Sequence, residues 1–265
     1  MFKPMSDLEQ LLYFKLGEKE QRVFTVQDIA GMLDVSPQHA RNLASRMVKK
    51  NVAERVKPGL FVRVPESLIL DKKFYKEDAI LIASKSVKKA FLSHYTALSI
   101  HGLAERYANE VYVTSLRHHR DIIYHNITIK FIHTSPKRFF GMEIIDYSNE
   151  KITVSDKERT ILDVVNKPSY SGGWAETINC LKNIEKVNWE KLLSYIIKFD
   201  NKILARRIGY IMENLENISI PVHVKKKIEK LSGKNIYYFD SSGKGFFDKN
   251  WNMVVPEKIY EVIHA

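Results

Sequence analysis

Residues 25–63 read TVQDIAGMLDVSPQHARNLASRMVKKNVAERVKPGLFVR, and the fold turns on how this stretch is punctuated. Thr25 is a residue type that caps helices, and Ile29, Ala30 and Leu33 give the segment after it one apolar face. Asp34 and Val35 make a tight turn. Ser36 and Pro37 then open a second helix, the serine as N-cap and the proline in the first turn, where its missing N–H has no partner to lose. Ala30 is small where the two helices would cross, while Val35, Ala40 and Leu43 face inward. The outer side carries Gln38, His39, Arg41, Asn42 and Ser45, residue types that reach base edges and phosphates in a major groove.

Working outward, NVAERVKPGLFVRVP predicts two short strands turning at Pro58 and Gly59. On the other side, Leu8, Leu11, Leu12 and Leu16 recur at helical steps, with Gly17 placed to end that helix. Helix, helix, helix, hairpin is the order of a winged helix. Between Arg41 and Arg63 stand seven basic residues and one acid, Glu54, so charge concentrates where DNA would lie. Gln38, Arg41 and Asn42 are the expected base readers, and Lys49, Lys57 and Arg63 the expected phosphate contacts. Ser36, His39, Ser45 and Arg46 complete the expected DNA-binding set.

The whole chain agrees with a polyanionic partner. Its 265 residues carry a formal charge of +11 and a pI near 9.4, and clustered cations gain affinity by releasing counterions from a phosphate backbone. Double-stranded DNA is the first expectation and an acidic protein surface the second. No apolar run approaches the roughly 18 residues of a spanning helix, and MFKPMSDLEQ lacks the core of a signal peptide, so a cytoplasmic protein with no membrane partner is expected. The lone Cys180 excludes an intramolecular disulfide or a multi-cysteine zinc site and reads as a buried small side chain.

A boundary near residue 70 is marked by Pro65 and the mixed-charge run PESLILDKKFYKED. The expected fold is α+β: an N-terminal winged helix-turn-helix over 1–70, then a larger mixed α/β domain over 71–265 with a helical C-terminal half. Within it, 71–160 reads as helices and short strands, 161–235 as mainly helical and 236–265 as a terminal hairpin. EDAILIASKSVKKAFLSHYTALSIHGLAERY suggests two helices with a break near Phe91 and Ser93, and EVYVTS, NITIKFIHT and KITVS suggest strands. Further on, Ile203, Leu204, Ile208, Ile211 and Met212 form a predicted core stripe, and Lys225, Lys226 and Lys227 a solvated edge.

Six histidines fall between His94 and His133, but the adjacent pair His118 and His119 would point to opposite faces of a strand, and no HExxH spacing occurs. His118, His119 and Arg120 read as an exposed basic turn, His94 and His101 as core. No metal or cofactor is expected. Ser155 followed by Glu158 predicts a capping box, Ile161, Leu162 and Val165 a buried stripe, and Pro168 a helix stop. Ser171, Gly172 and Gly173 then turn the chain into a helix bearing Ile178, Leu181 and Ile184. Neither GxxxxGKS nor GxGxxG is present, and no histidine or second acid pairs with Glu158 at a recognisable interval. The segment reads as a joint between helices, not as an active site, and the protein as no enzyme.

That same block, ITVSDKERTILDVVNKPSYSGGWAE at 152–176, together with SHYTALSIHGL at 93–103, resembles the AbiEi-type antitoxins, regulator halves of type IV toxin-antitoxin and phage-defence operons. The matching positions are Asp156, Glu158, Arg159, Thr160, Leu162, Asp163, Pro168, Gly172, Gly173 and Glu176, and with Ser155 they mark an antitoxin-domain motif that is structural or partner-facing. The resemblance spans roughly residues 6 to 215, leaving the part after Ser219 outside it. It implies a winged helix that represses the operon's own promoter and a C-terminal domain opposing a nucleotidyltransferase-like toxin, directly or indirectly. Two copies on spaced half-sites would bind cooperatively, which implies dimerisation on DNA. Two other readings stay open from the residues alone: a stand-alone winged-helix regulator with a ligand-sensing domain, and a nucleic-acid-processing enzyme whose winged helix positions substrate.

Overall fold

A computed structural model of the chain describes residues 4–71, 75–104, 109–233 and 235–265. It is a mixed α+β protein whose helices and strands gather into two compact units. The first comprises Met1–Ala90, Asn109–Ile132 and Ile144–Thr153; the second comprises Phe91–Ala108, His133–Glu143 and Val154–Ala265.

The first unit begins with α1 (Asp7–Glu18), β1 (Val23–Thr25), α2 (Val26–Leu33), α3 (Pro37–Lys49), β2 (Ala53–Lys57) and β3 (Leu60–Arg63). Leu12, Leu16, Phe24, Ile29, Leu43, Met47 and Phe61 meet in one core, with Ala40 and Ala44 letting α3 approach closely. The strands form an antiparallel sheet in the order β1-β3-β2, with Val23 opposite Val62 and Glu54 opposite Val62 on the other side. The three residues of β1 are too few to show a pattern in the sequence. α1 also differs from expectation: Leu8 and Leu11 are exposed, while Glu9, Leu12, Tyr13 and Leu16 are buried. Gly17 does not end the helix, which runs on to Glu18. A Cβ at Gly17 would lie 3.1 Å from Arg63 Nη2, so the glycine makes room for a guanidinium.

α4 (Glu66–Asp71) and α5 (Ala79–Ser86) follow, and residues 72–74 of the mixed-charge run PESLILDKKFYKED lie outside the described residues. The first unit also holds β5 (Glu110–Ser115), β6 (Ile122–Tyr124) and all but the end of β7 (Ile127–His133), ordered β6-β7-β5. Polar contacts tie these later strands to the N-terminal part. The Tyr124 hydroxyl donates to Glu54 Oε2 at 3.2 Å and accepts the Glu77 N–H at 3.1 Å, and Arg22 sits 3.3 Å from Glu77 while donating to Ser148 O at 2.8 Å. The unit therefore extends past residue 70.

The second unit contains most of β4 (Ala90–Leu92), the strand that fills the expected break between helices, and α6 (His94–Ile100). The predicted continuation of α6 over 105–107 lies outside the described residues. Strands β8 (Met142–Tyr147) and β9 (Glu150–Ser155) each run from one unit into the other, and β4 pairs parallel to β9 at Leu92 and Val154. Then come α7 (Lys157–Asn166), α8 (Gly173–Lys182), α9 (Trp189–Phe199), α10 (Lys202–Asn214) and α11 (Val222–Ser232). Leu204, Ile208, Ile211 and Met212 are core as expected, but Ile203 is exposed.

The expected terminal hairpin is a three-stranded sheet closed by a helix. β10 (Tyr237–Tyr238) pairs parallel to β12 (Met253–Val255), which pairs antiparallel to β11 (Phe246–Asp248), and α12 (Glu257–His264) follows. Trp251, fully buried, is its anchor. Its Nε1 donates to Glu213 Oε2 at 2.6 Å, its N–H donates to Asp248 Oδ1 at 2.8 Å, and its carbonyl accepts Arg206 Nη1 at 2.7 Å. The indole lies flush on α10 because residue 209 is glycine: a Cβ there would stand 2.2 Å from the ring.

Candidate nucleic-acid interface

The local chemistry that aims α3 is plain. Asp34 takes the left-handed conformation at φ 52°, and the Val35 N–H bonds Ala30 O at 3.2 Å, closing the turn. Ser36 caps α3 by accepting the His39 N–H at 3.2 Å. With Ala40, Leu43, Ala44 and Met47 buried, the helical period leaves Gln38, His39, Arg41 and Asn42 exposed and Ser45 half-buried. Gln38 Nε2 donates to Asn42 Oδ1 at 3.2 Å and Arg41 Nη1 to Gln38 Oε1 at 3.4 Å, so the three side chains stand together on one turn. The amide pair and guanidinium offer the donor and acceptor sets that recognise adenine and guanine edges.

The hairpin is fixed against this helix. Arg55 Nη2 donates to Ser45 Oγ at 3.1 Å, and its guanidinium lies over the Phe61 ring at 5.7 Å. Lys57 sits in the last pair of the ladder, opposite Leu60, beside the turn where Gly59 takes φ 83°. Its Nζ reaches Ser86 O at 2.6 Å, and burial lowers its pKa. A groove of about 560 Å³ opens here, bordered by Arg41, Ser45, Arg55, Lys57, Lys85 and Lys88.

Two of the expected DNA contacts have other engagements. Arg46 Nε donates to Glu9 Oε1 at 2.8 Å, and Lys50 completes the pair on Glu9 Oε2, which also accepts the Ser6 N–H at 2.9 Å. Burial alone would raise the Glu9 pKa, but the bonds from Lys50, Ser6 and Arg46 outweigh it and hold it near 2. Arg63 lies 4.2 Å over the Tyr13 ring, and its buried Nε has no hydrogen-bond partner. Both cations clamp α1 to the rest of the unit. Lys49 is exposed. Sequence reasoning counted Arg55 in the local charge without assigning it a contact and passed over Lys85 and Lys88; the run KSVKK at 85–89 was the available signal, hidden by its distance from the helix it flanks.

In the second unit the block at 155–176 is a packing node. The predicted capping box is absent: β9 runs through Ser155, whose Oγ meets Thr160 Oγ1 at 2.8 Å, and Asp156 caps α7 by accepting the Arg159 N–H at 2.8 Å. Asp156 Oδ2 also receives the Tyr195 hydroxyl at 2.9 Å, and Glu158 accepts the Asn188 N–H at 2.9 Å rather than bonding back to residue 155. Lys191 lies 3.1 Å from Asp156 and 3.2 Å from Glu158. Arg159 is buried among Phe91, Phe140 and Phe199, donating to Asp163 Oδ1 at 2.9 Å and to the carbonyls of Arg138 and Phe140 at 2.6 and 3.0 Å. Burial pushes Asp163 up to about 6 against the pull of Arg159, and its Oδ2 has no partner. Pro168 begins a 3-10 turn to Ser171, and Gly172 and Gly173 take φ 79° and 88° to enter α8. Asp156, Glu158, Arg159 and Asp163 are thus all engaged within the unit.

The histidines scatter. His94 is buried with its ring edge-on to Tyr170, His101 Nε2 is 2.7 Å from Ser155 O, and His118 and His119 are exposed. Among the described residues no three His, Cys, Asp or Glu side chains stand where they could share a metal ion, and no helix is long and apolar enough to cross a membrane.

No family model matches this chain, and no curated protein matches it. Among solved structures, it is similar to the crystal structure of the RV2827C protein from Mycobacterium tuberculosis, with a TM-score of 0.63 at 12% identity, over 99% of this chain and 97% of that one. At so low an identity the likeness is one of fold, and it extends over nearly the whole of both chains.

Proposed function

We propose that this protein is a cytoplasmic, duplex-DNA-binding regulator whose N-terminal helices and hairpin work as a winged helix, and that it is the antitoxin and autorepressor of a toxin-antitoxin operon. The observation that carries the DNA half is the grouping of Gln38, Arg41 and Asn42 on the exposed turn of α3, beside a hairpin fastened to that helix through Arg55 and Ser45. α3 would lie in the major groove, with Lys49, Lys57 and Arg55 at the flanking phosphates. The antitoxin half is supported by the sequence likeness at 93–103 and 152–176, and its partner would be a nucleotidyltransferase-like toxin. Two copies would occupy an inverted repeat in the promoter.

The test is fluorescence anisotropy of the full chain on DNA from upstream of its own gene, against a scrambled duplex. Losing one well-made base contact costs about 1–3 kcal/mol of discrimination. Arg41→Ala with Asn42→Ala should therefore erase at least tenfold of the preference for upstream DNA. A parent protein that binds both duplexes equally sinks the repressor reading. Induction of a neighbouring nucleotidyltransferase gene tests the other half: growth restored by the full chain supports it, and continued arrest with soluble protein present rejects it.

A further inference from the structure

We infer that residues 85–88, at the end of α5, form a second phosphate-gripping segment that holds the DNA backbone beside α3. This deepens, and rests on, the DNA-binding reading above. The segment is docked to the hairpin by the bond from Lys57 Nζ to Ser86 O at 2.6 Å. Lys85 and Lys88 thereby face the same groove as Arg41, Arg55 and Lys57, five cations around about 560 Å³, and none of the residues lining it is an aspartate or glutamate. Lys85 lies 3.3 Å from Glu150 Oε2 and stays 34% exposed; Lys88 is exposed.

Such a concentration of like charge is unfavourable until an anion enters it, and burial already lowers the Lys57 pKa. The groove's border includes Arg41 and Ser45, on the outer side of α3. A backbone running beside the major groove that α3 reads would have to pass this border, so phosphodiester oxygens are the anions the geometry favours. A winged helix ending at residue 70 would lack this grip.

Phosphate contacts carry no sequence information, so any duplex reports on them. The measurement is the slope of log K against log salt for full-length protein on a random 20-bp duplex. Each phosphate contact contributes about 0.9 to that slope. Lys85→Gln with Lys88→Gln should reduce it by about 1.8, and Lys88→Gln alone, at an exposed position, by about 0.9. Lys244→Gln with Lys258→Gln removes two exposed charges in the second unit and should leave the slope at the parent value. An unchanged slope in the 85/88 variants, or equal losses in both doubles, overturns the inference while leaving the reading of α3 intact. Calorimetry with inorganic phosphate separates the sources: phosphate binding lost in the 85/88 double with the duplex slope retained would assign the groove to a free anion and overturn the backbone grip. A parent chain without any salt-dependent duplex binding removes the DNA reading and this one together.

Discussion

Gly209→Ala tests whether the C-terminal sheet is keyed into α10 as tightly as the geometry requires. The new methyl carbon would stand 2.2 Å from both Cη2 and Cζ3 of Trp251 and 2.9 Å from Cζ2. Carbon atoms in contact sit about 3.5–4.0 Å apart, so ring or helix must retreat by about 1.3 Å or more. The ring has nowhere to go, because it is fully buried and its Nε1 donates to Glu213 at 2.6 Å. Overpacking costs about 1–3 kcal/mol, and loosening a hydrogen bond to a charged group adds about 1.5–3 kcal/mol. Alanine's better helix propensity returns about 1 kcal/mol. The net loss is about 1.5–5 kcal/mol, a fall in Tm on the order of 10 °C. All three tryptophans, Trp174, Trp189 and Trp251, belong to the second unit, so a melt followed by tryptophan fluorescence isolates its transition. Gly31→Ala is the control: it is also helical, a Cβ there meets nothing within 4 Å, and it should leave that transition where it is. If Gly209→Ala melts with the parent, the indole does not rest on the helix as described, and the packing argument fails.

Glu9→Gln replaces the buried carboxylate that Arg46 and Lys50 share with a neutral amide and should cost about 1.5–3 kcal/mol at pH 7, read by urea denaturation. Because the Glu9 pKa falls from 4.5 to about 2 on folding, its contribution is whole above pH 4.5 and fades as pH drops toward 2; a variant as stable as the parent at pH 7 refutes it. His94 moves in the same direction higher on the scale. Burial first, then Arg159 and Lys167, takes its pKa from 6.5 to about 3, so its contribution is whole above pH 6.5 and lost at up to about 1.4 kcal/mol per pH unit as pH falls toward 3. Asp163, raised to about 6, has the opposite sign between pH 3.8 and 6, so the His94 effect is read as the difference between parent and variant. His94→Asn suits the residue's φ of 52° and should flatten that slope in fluorescence-detected melts; parallel curves for parent and variant would contradict it.

What the sequence disclosed was whatever a few neighbouring residues decide among themselves. Thr25, Ser36 with Pro37, and Pro58 with Gly59 each set a boundary locally, and each stands where its chemistry put it. What it concealed depends on distant partners. Gly17 looked like a helix stop because nothing nearby reveals that Arg63 lies across it. Arg46 looked like a DNA contact because Glu9, 37 residues earlier, gives no local sign of being buried. At the start of α7 two caps one residue apart competed, and the reach of β9 through Ser155 decided for Asp156. The parallel pairing of β10 with β12 leaves no turn signature, so a hairpin was the nearest guess.

The interleaving of the two units constrains how the protein is made and how it can be re-engineered. Arg22 is held by Glu77, Ser148 and Glu150, so a nascent chain must release more than half its length from the ribosome before the N-terminal unit has all its polar ties. Among the described residues, the small core shared by α1, α2 and α3 draws on positions up to Ile69 and is free to condense earlier. A gene fusion joined at one point near residue 70 would transplant that core without Lys85, Lys88 or the carboxylates that hold Arg22. Swapping the specificity of this protein for another's therefore favours replacing side chains on α3 in place over exchanging the reading head as a cassette.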